Sequence, residues 1–483
     1  MIRPGRLVAG LLLPGVLAAQ RPAAARTCNL ELYNFDSTTT LAVKGSNGLY
    51  NSYYGRGVRG KCTNTDQRLA GDSLEAFGAA KSYTIIGRAH YEEARVRLDA
   101  DRINYFQLEE RVLAEGNVVA VTDKGTTMRG PRAEYYRAAP GMREVSRLVA
   151  TGRPVTRLSP SDAGGGATDT VDIVAEHITD VGDSLMYAGG AVVITRPDLA
   201  ATSDSATMDS GREWARLTGR PRVEGRGTSK FTLVGRQIDL WSRDRRLTRV
   251  LSADSAIATS EEMTLASDSI DLRLAEQKLS RAYAWGRSRA RAHTADRDIL
   301  ADSIDVDMPG QLLRELRALR SAHASSRTDS TKFVSTENDW LKGDTIVASF
   351  ESVRVARDSA AKSQIKTILA SGSASSYYQV ASSQGPKAGP NLNYVKGTAI
   401  TVFFGADRAV RNVAVREKAS GVYLELAPPD SLKTDSTAKG KKKTTAAGTT
   451  TTKPGTAKPG TTPSRPATAK PPVQPTSTPA RKP

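Results

Sequence analysis

The sequence predicts an all-β protein of stacked short strands around one continuous apolar core, and three observations lead there. Apolar and polar residues alternate with period 2 along much of residues 67–427, as in strands with one buried face. Within many of these runs the phase slips by one, at a small residue followed by a polar one. The slip recurs about every thirty residues, and such a period in short-strand units means stacked repeats.

Residues 94–123 display the unit. Ala94, Val96, Leu98 and Ala100 alternate with charged residues, and then Ile103 and Tyr105 take the apolar phase. The two sets cannot share one face of a flat strand. The slip at Ala100-Asp101 therefore predicts a bulge or corner. Residues 107–111 turn the chain back into Val112, and Glu115-Gly116-Asn117 punctuates before the run that starts at Val118. The template apolar-x-small-polar-x-apolar places its small residue at Gly71, Ala100, Gly130, Ala175, Ser203, Gly235, Ser267, Ala301, Gly343 and Gly397. Most steps between these ten corners are 28 to 34 residues. A second mark, apolar-x-x-Gly-x-(Val/Ala) or a near variant, follows most corners, centred on Gly87, Gly116, Gly152, Gly189, Gly219, Gly286 and Gly372. Carboxylates recur at the corners as Asp72, Asp101, Asp204, Asp268, Asp302 and Asp344. They are expected to accept hydrogen bonds from N–H groups of their own turns.

Taken in order, residues 1–26 read as a signal peptide: Arg3 and Arg6 precede an apolar run at 7–19 that is too short to span a bilayer. No cysteine follows a small-residue triplet near residue 20, so a lipoprotein is not expected. The mature chain is then expected in the periplasm. Residues 27–158 form the first repeat region. It opens with short strands and two cysteines, Cys28 and Cys62. Export favours a disulfide between them over two free thiols, and loop entropy gives such a bond roughly 3–4 kcal/mol. Gly55-Arg56-Gly57-Val58-Arg59-Gly60 matches the dinucleotide fingerprint, yet no helical pattern follows, so twisted edge strands are the better reading. Residues 159–168 are a Ser/Gly-rich flexible joint. Residues 169–427 form a second repeat region that continues the first, with surface insertions at 325–338 and 382–393. At 311–323 Leu312, Leu316 and Leu319 stand at helical spacing, but the segment fills the slot of a returning strand after a Pro309-Gly310 turn, and a strand is expected. Residues 428–483, rich in Lys, Thr and Pro, bury almost nothing and are expected to be disordered.

The net charge of +18 suggests a polyanion partner until it is located. Ten of the excess cations lie in residues 437–483 and four in residues 1–26, leaving +4 on residues 27–436. That balance argues against nucleic-acid binding, while the basic tail remains a candidate contact for peptidoglycan or anionic lipid. The four histidines have no metal-ligand spacing, and no nucleophile elbow or phosphate loop appears. No metal or cofactor, and no enzymatic activity, is expected. Arg287, Arg289 and Arg291 alternate on one strand face, which suits a solvated face better than a phosphate site. What remains is the aliphatic face itself, suited to a groove for apolar ligands recognised by buried area, or else to plain self-packing.

The run 98–105 (LDADRINY), followed by Ala114-Glu115-Gly116-Asn117-Val118, by Gly125-Thr126-Thr127-Met128-Arg129-Gly130 and by Glu134-Tyr135-Tyr136, resembles the OstA-like domain. That family includes the periplasmic lipopolysaccharide-transport bridge and the N-terminal domain of the outer-membrane lipopolysaccharide assembly protein. The match is close over 67–158 and looser through 427. The resemblance implies an elongated twisted β-jellyroll, or β-taco, of about ten two-strand repeats. Its apolar interior would carry the acyl chains of lipopolysaccharide or a related lipid, and its end strands would pair with other jellyrolls. The groove candidates are Val96, Leu98, Ile103, Tyr105, Ile238, Leu240, Ile270, Leu272, Ile304, Val306, Ile400 and Val402. No barrel sequence is read in residues 428–483, so an outer-membrane translocon is not expected. The alternative is a cell-envelope structural or adhesive β-repeat protein with a closed core and no lipid cargo. A carbohydrate-active solenoid is weaker still, for lack of paired carboxylates beside exposed aromatics.

Overall fold

A computed structural model describes residues 28–158 and 170–425, apart from short stretches at 183, 228–229, 245, 329–332, 354–360, 384 and 386–388. The expected signal peptide, the joint at 159–168 and the tail from 428 lie outside the described residues. Thirty strands and two single-turn 3-10 helices account for the regular structure described, and all strand pairings are antiparallel.

Each long strand crosses two leaves. Val96–Phe106 pairs with Arg111–Thr122 through residues 96–99 on one side of a register shift and 102–106 on the other. The shift recurs in ladder after ladder, at Ile86/Ala89, Gly130/Arg132, Gly189/Val192, Ala253/Ala256, Leu300/Ser303 and Ser371/Ala374. All these shifts fall at corners read from the sequence. They divide the array into a first leaf, which includes residues 89–93, 96–99 and 119–122, and a second leaf, which includes 82–86, 102–106 and 111–115. Because the chain bends at the shift, Leu98 and Ile103 both face inward and are wholly buried in one shared core. That core runs from Cys28 to Ile400. The fold is thus a β-jellyroll folded along its row of corners.

The corner and the glycine mark prove to be two halves of one device. The bend in the returning strand is a pair of residues in the left-handed region, such as Gly87-Arg88 (φ +73° and +44°) or Gly116-Asn117 (+79° and +48°). Glycine is favoured there because it has no Cβ. The corner carboxylate of the preceding strand lies against that glycine. Asp72 accepts from Arg88 Nε (2.9 Å), Asp101 from Asn117 Nδ2 (2.9 Å) and Asp204 from Arg220 Nη2 (3.1 Å). These partners belong to the facing strand and not to the carboxylate's own turn, because the corner projects the side chain across the fold line. Asp268 does bond backbone, taking Arg287 N and Ser288 N at 2.6 and 2.9 Å, again from the next strand. One mark is displaced by a residue: Gly190, not Gly189, holds the positive φ of +79°. Gly286 sits instead in a wide bulge between Trp285 and Ala290.

The ladders continue across 158–171. Arg147–Thr151 pairs with His177–Val181, and Val155–Leu158 pairs with Val171–Val174. The helical spacing at 311–323 is overruled: Pro309–Gln311 makes a turn with Gly310 at φ +64°, and Glu315–Ser326 is a strand paired on both sides. Cys28 and Cys62 form a disulfide that joins the first strand's start to the end of Val58–Cys62.

Candidate functional site

Opposite the corners the two leaves end in rows of hairpin turns, and between these rims the core is interrupted. A cavity of about 450 Å³ lies there, within the roughly 300–1,000 Å³ of small-ligand sites. The first leaf lines it with Val96, Leu158, Val171, Ile194 and Leu199, and the second with Tyr135, Leu148, Met186, Met208, Ala215, Leu240 and Leu247. Its rim carries both signs, Arg95, Lys124 and Arg196 among Asp123, Asp180, Asp209 and Glu213. Arg196 spans the mouth. Its Nε and Nη2 rest on the two carboxylate oxygens of Asp198 at 3.0 and 3.2 Å, and Nη1 donates across to Ser242 Oγ of the second leaf at 3.3 Å.

Towards the N-terminal side a buried polar clasp ties the leaves together. Glu93 of the first leaf accepts from Arg137 Nε (2.6 Å) and Tyr91 Oη (3.1 Å), and also from the hydroxyl of Tyr135, which itself lines the cavity. Tyr105 donates to Glu110 at 2.9 Å, and Gln67 donates to both Tyr105 and Tyr91 at 3.2 and 3.4 Å. Glu93 and Glu110 are 9% and 1% exposed, so Arg137, between them and Asp66, is the cation that makes this burial tolerable. Burial alone would lower the Arg137 guanidinium, but Glu93 and Glu110 hold it well above its ordinary value. Burial, and then Glu93, pushes the Tyr135 phenol up, so it stays a neutral donor.

On the other side apolar turns close the gap. Phe231, Met263, Leu279 and Met308 surround a void of only about 20 Å³, and Ser363 N donates across the rims to Glu262 Oε1 at 3.0 Å. A further space of about 90 Å³ lies among Arg297, Leu341, Ile368, Val402, Phe404 and Val413.

The groove candidates therefore separate. Val96 and Leu240 line the large cavity, Leu272 the small void and Val402 the third space. Leu98, Ile103, Tyr105, Ile238, Ile270, Ile304, Val306 and Ile400 have no exposed surface and fill the core. Sequence reasoning missed the clasp and Arg196, because the contacts that join the leaves, Arg137 to Glu93 and Arg196 to Ser242, span more than forty residues. A sequence signal did exist: Glu93, Glu110 and Arg137 each fall at the end of an alternating run, where an apolar residue would continue the pattern. The arginines at 287, 289 and 291 serve the sheet, Arg291 pairing with Asp298 at 2.6 Å and Arg289 capping Leu300 O at 3.1 Å. Among the described residues no helix is long and apolar enough to cross a membrane, and no group of three or more His, Cys, Asp or Glu is placed to hold a metal. No protein-family model matches the chain, and neither does any curated protein.

Proposed function

We propose that this protein is an exported lipid carrier that moves lipopolysaccharide or a related acylated lipid across the periplasm, with acyl chains held between its leaves. The observation that carries this reading is the 450 Å³ interruption of an otherwise continuous core. An apolar cavity beneath a charged rim suits an amphiphile, whose chain gains buried area while its head stays wet. The resemblance of residues 98–136 to the OstA-like domain points the same way.

Partners would join at the ends of the leaves. Among the described residues, Leu41–Lys44 at one end and Ser420–Leu424 at the other pair on one side only, and they expose Leu41, Val43, Val422 and Leu424. Such edges accept a further strand, here that of another jellyroll. Contact of the basic tail with peptidoglycan or anionic lipid belongs to the same proposal.

The competing reading, a structural β-repeat with a closed core, draws on the complete burial of Ile238, Ile270, Ile304 and Ile400. One experiment separates the two. A photo-crosslinking residue at Leu240 should capture lipid in cell envelopes, whereas one at Ile270 should not. Lipids extracted from the purified mature protein should include the captured species. No adduct at Leu240 and no co-purifying lipid would leave the structural reading standing.

A further inference from the structure

We infer that the cavity between residues 95 and 247, if it carries lipid as proposed above, takes one acyl chain ending in an anionic oxygen head and not a bundle of chains. Capacity is the first ground. At on the order of 30 Å³ for a methylene-sized group, the volume share of one water, its 450 Å³ holds a chain of about fifteen carbons. A lipid with several chains of that length needs several times the space.

The walls are the second ground, because they deny any extension. Tyr135, held by its hydroxyl to buried Glu93, closes the N-terminal side, and behind it stand the wholly buried rings of Tyr91 and Tyr105. On the other side the core beneath Met263 and Met308 leaves about 20 Å³, less than the share of a single methylene-sized group. The lining suits a single flexible chain. Met186 and Met208 of the second leaf, unbranched and readily re-oriented, line the space with Ile194 and Leu199 of the first.

The head group is assigned by Arg196. Asp198 fixes the Nε/Nη2 edge of the guanidinium, and the side chain is only 15% exposed, so its orientation is already set. Its Nη1 meets a neutral hydroxyl across the mouth at 3.3 Å. A carboxylate or phosphate oxygen emerging from the cavity would take the place of Ser242 Oγ and gain a charge-assisted bond. The exchange leaves the Arg196–Asp198 pair intact. A fatty acid and a monoacyl phospholipid share this chemistry.

The experiment titrates the lipid-stripped mature protein with n-alkyl carboxylates of 10 to 20 carbons, followed by native mass spectrometry and calorimetry. One chain should bind per protein. Affinity should rise about fourfold per methylene, equivalent to ~0.8 kcal/mol, and level off at about fifteen carbons, the capacity set by the volume. Leu240→Trp should abolish that binding. Arg196→Gln should weaken the carboxylate about tenfold, as expected for a bond to a charged group, and leave the alcohol of equal length unchanged. A lysophospholipid that competes as well as the carboxylate makes monoacyl phospholipid an equal source, and one that does not compete leaves the fatty acid. If a multi-acyl glycolipid or a diacyl phospholipid displaces the carboxylate mole for mole, or affinity climbs without levelling, the one-chain inference falls while the lipid-carrier reading stands. Equal losses for carboxylate and alcohol in Arg196→Gln overturn the head-group assignment. If the unaltered protein binds no lipid of any kind, both readings fall.

Discussion

Gly87 sits at φ +73°, and a Cβ built there would stand 2.5 Å from Asp72 Oδ2 and 3.0 Å from Asp72 Cβ. Two penalties therefore act at one residue: the left-handed backbone, and the corner carboxylate packed against it. Gly125 isolates the first, since it holds φ +77° with nothing within 4 Å of its Cβ position. Gly125→Ala should cost about 1 kcal/mol for the backbone alone, whereas Gly87→Val should cost about 3 kcal/mol once strain and steric displacement combine. Urea unfolding of both variants checks this, and equal losses would mean that the Asp72 contact is immaterial. This much was legible in the sequence, because a corner's small-polar pair and a glycine some fifteen residues on are local marks. The partners of the corner carboxylates were not legible. Asp101 looked like a turn residue bonding its own backbone, yet it meets Asn117 across the fold line, and only the folded ladder brings the two together.

At the scale of elements the clasp decides how the leaves stay joined near the disulfide. Glu93 comes from the strand Ser82–Glu93, Arg137 follows the strand Thr127–Tyr136, and Glu110 lies in the turn before Arg111–Thr122. Arg137→Leu removes the cation that Glu93 and Glu110 share and leaves both buried carboxylates without it. The expected loss is about 3–5 kcal/mol, read from chemical denaturation. The additional change Glu93→Gln should recover part of it by removing one of the stranded charges, and no recovery would show that Arg137 acts through packing alone. The segment 311–323 carries the complementary lesson. Its leucines are spaced as on a helix, but Leu316 and Ala318 face the core only when Glu315–Ser326 is extended between two paired neighbours. Ladder hydrogen bonds on both sides outweigh a local periodicity.

At the scale of the whole array, each two-strand repeat contacts chiefly its neighbours, so stability should behave as a sum of repeat and interface contributions. Strands alternate in direction, and Thr264–Ala275 ends in the second leaf where Glu315–Ser326 begins. Removing residues 278–307, a complete up-and-down pair, should therefore leave a protein that folds, with its β circular-dichroism spectrum retained and its Tm lowered. Removing residues 278–293 alone sends the next strand in with the wrong direction and should prevent folding. If both deletions behave alike in circular dichroism and thermal melting, the array is not modular.

By itself the sequence determined the all-β class, the position of the corners and which residues face inward, because alternation, phase slips and glycine marks act within a few residues. The tertiary structure alone decided where that interior is full and where it is empty. Leu240 and Leu272 hold the same place in the pattern, each two residues after a corner's closing isoleucine, yet one borders the 450 Å³ cavity and the other a void of about 20 Å³. The difference lies in which side chains of the opposite leaf reach them, and that depends on closing distances of many tens of residues, as from Arg196 to Ser242 or from Glu93 to Arg137.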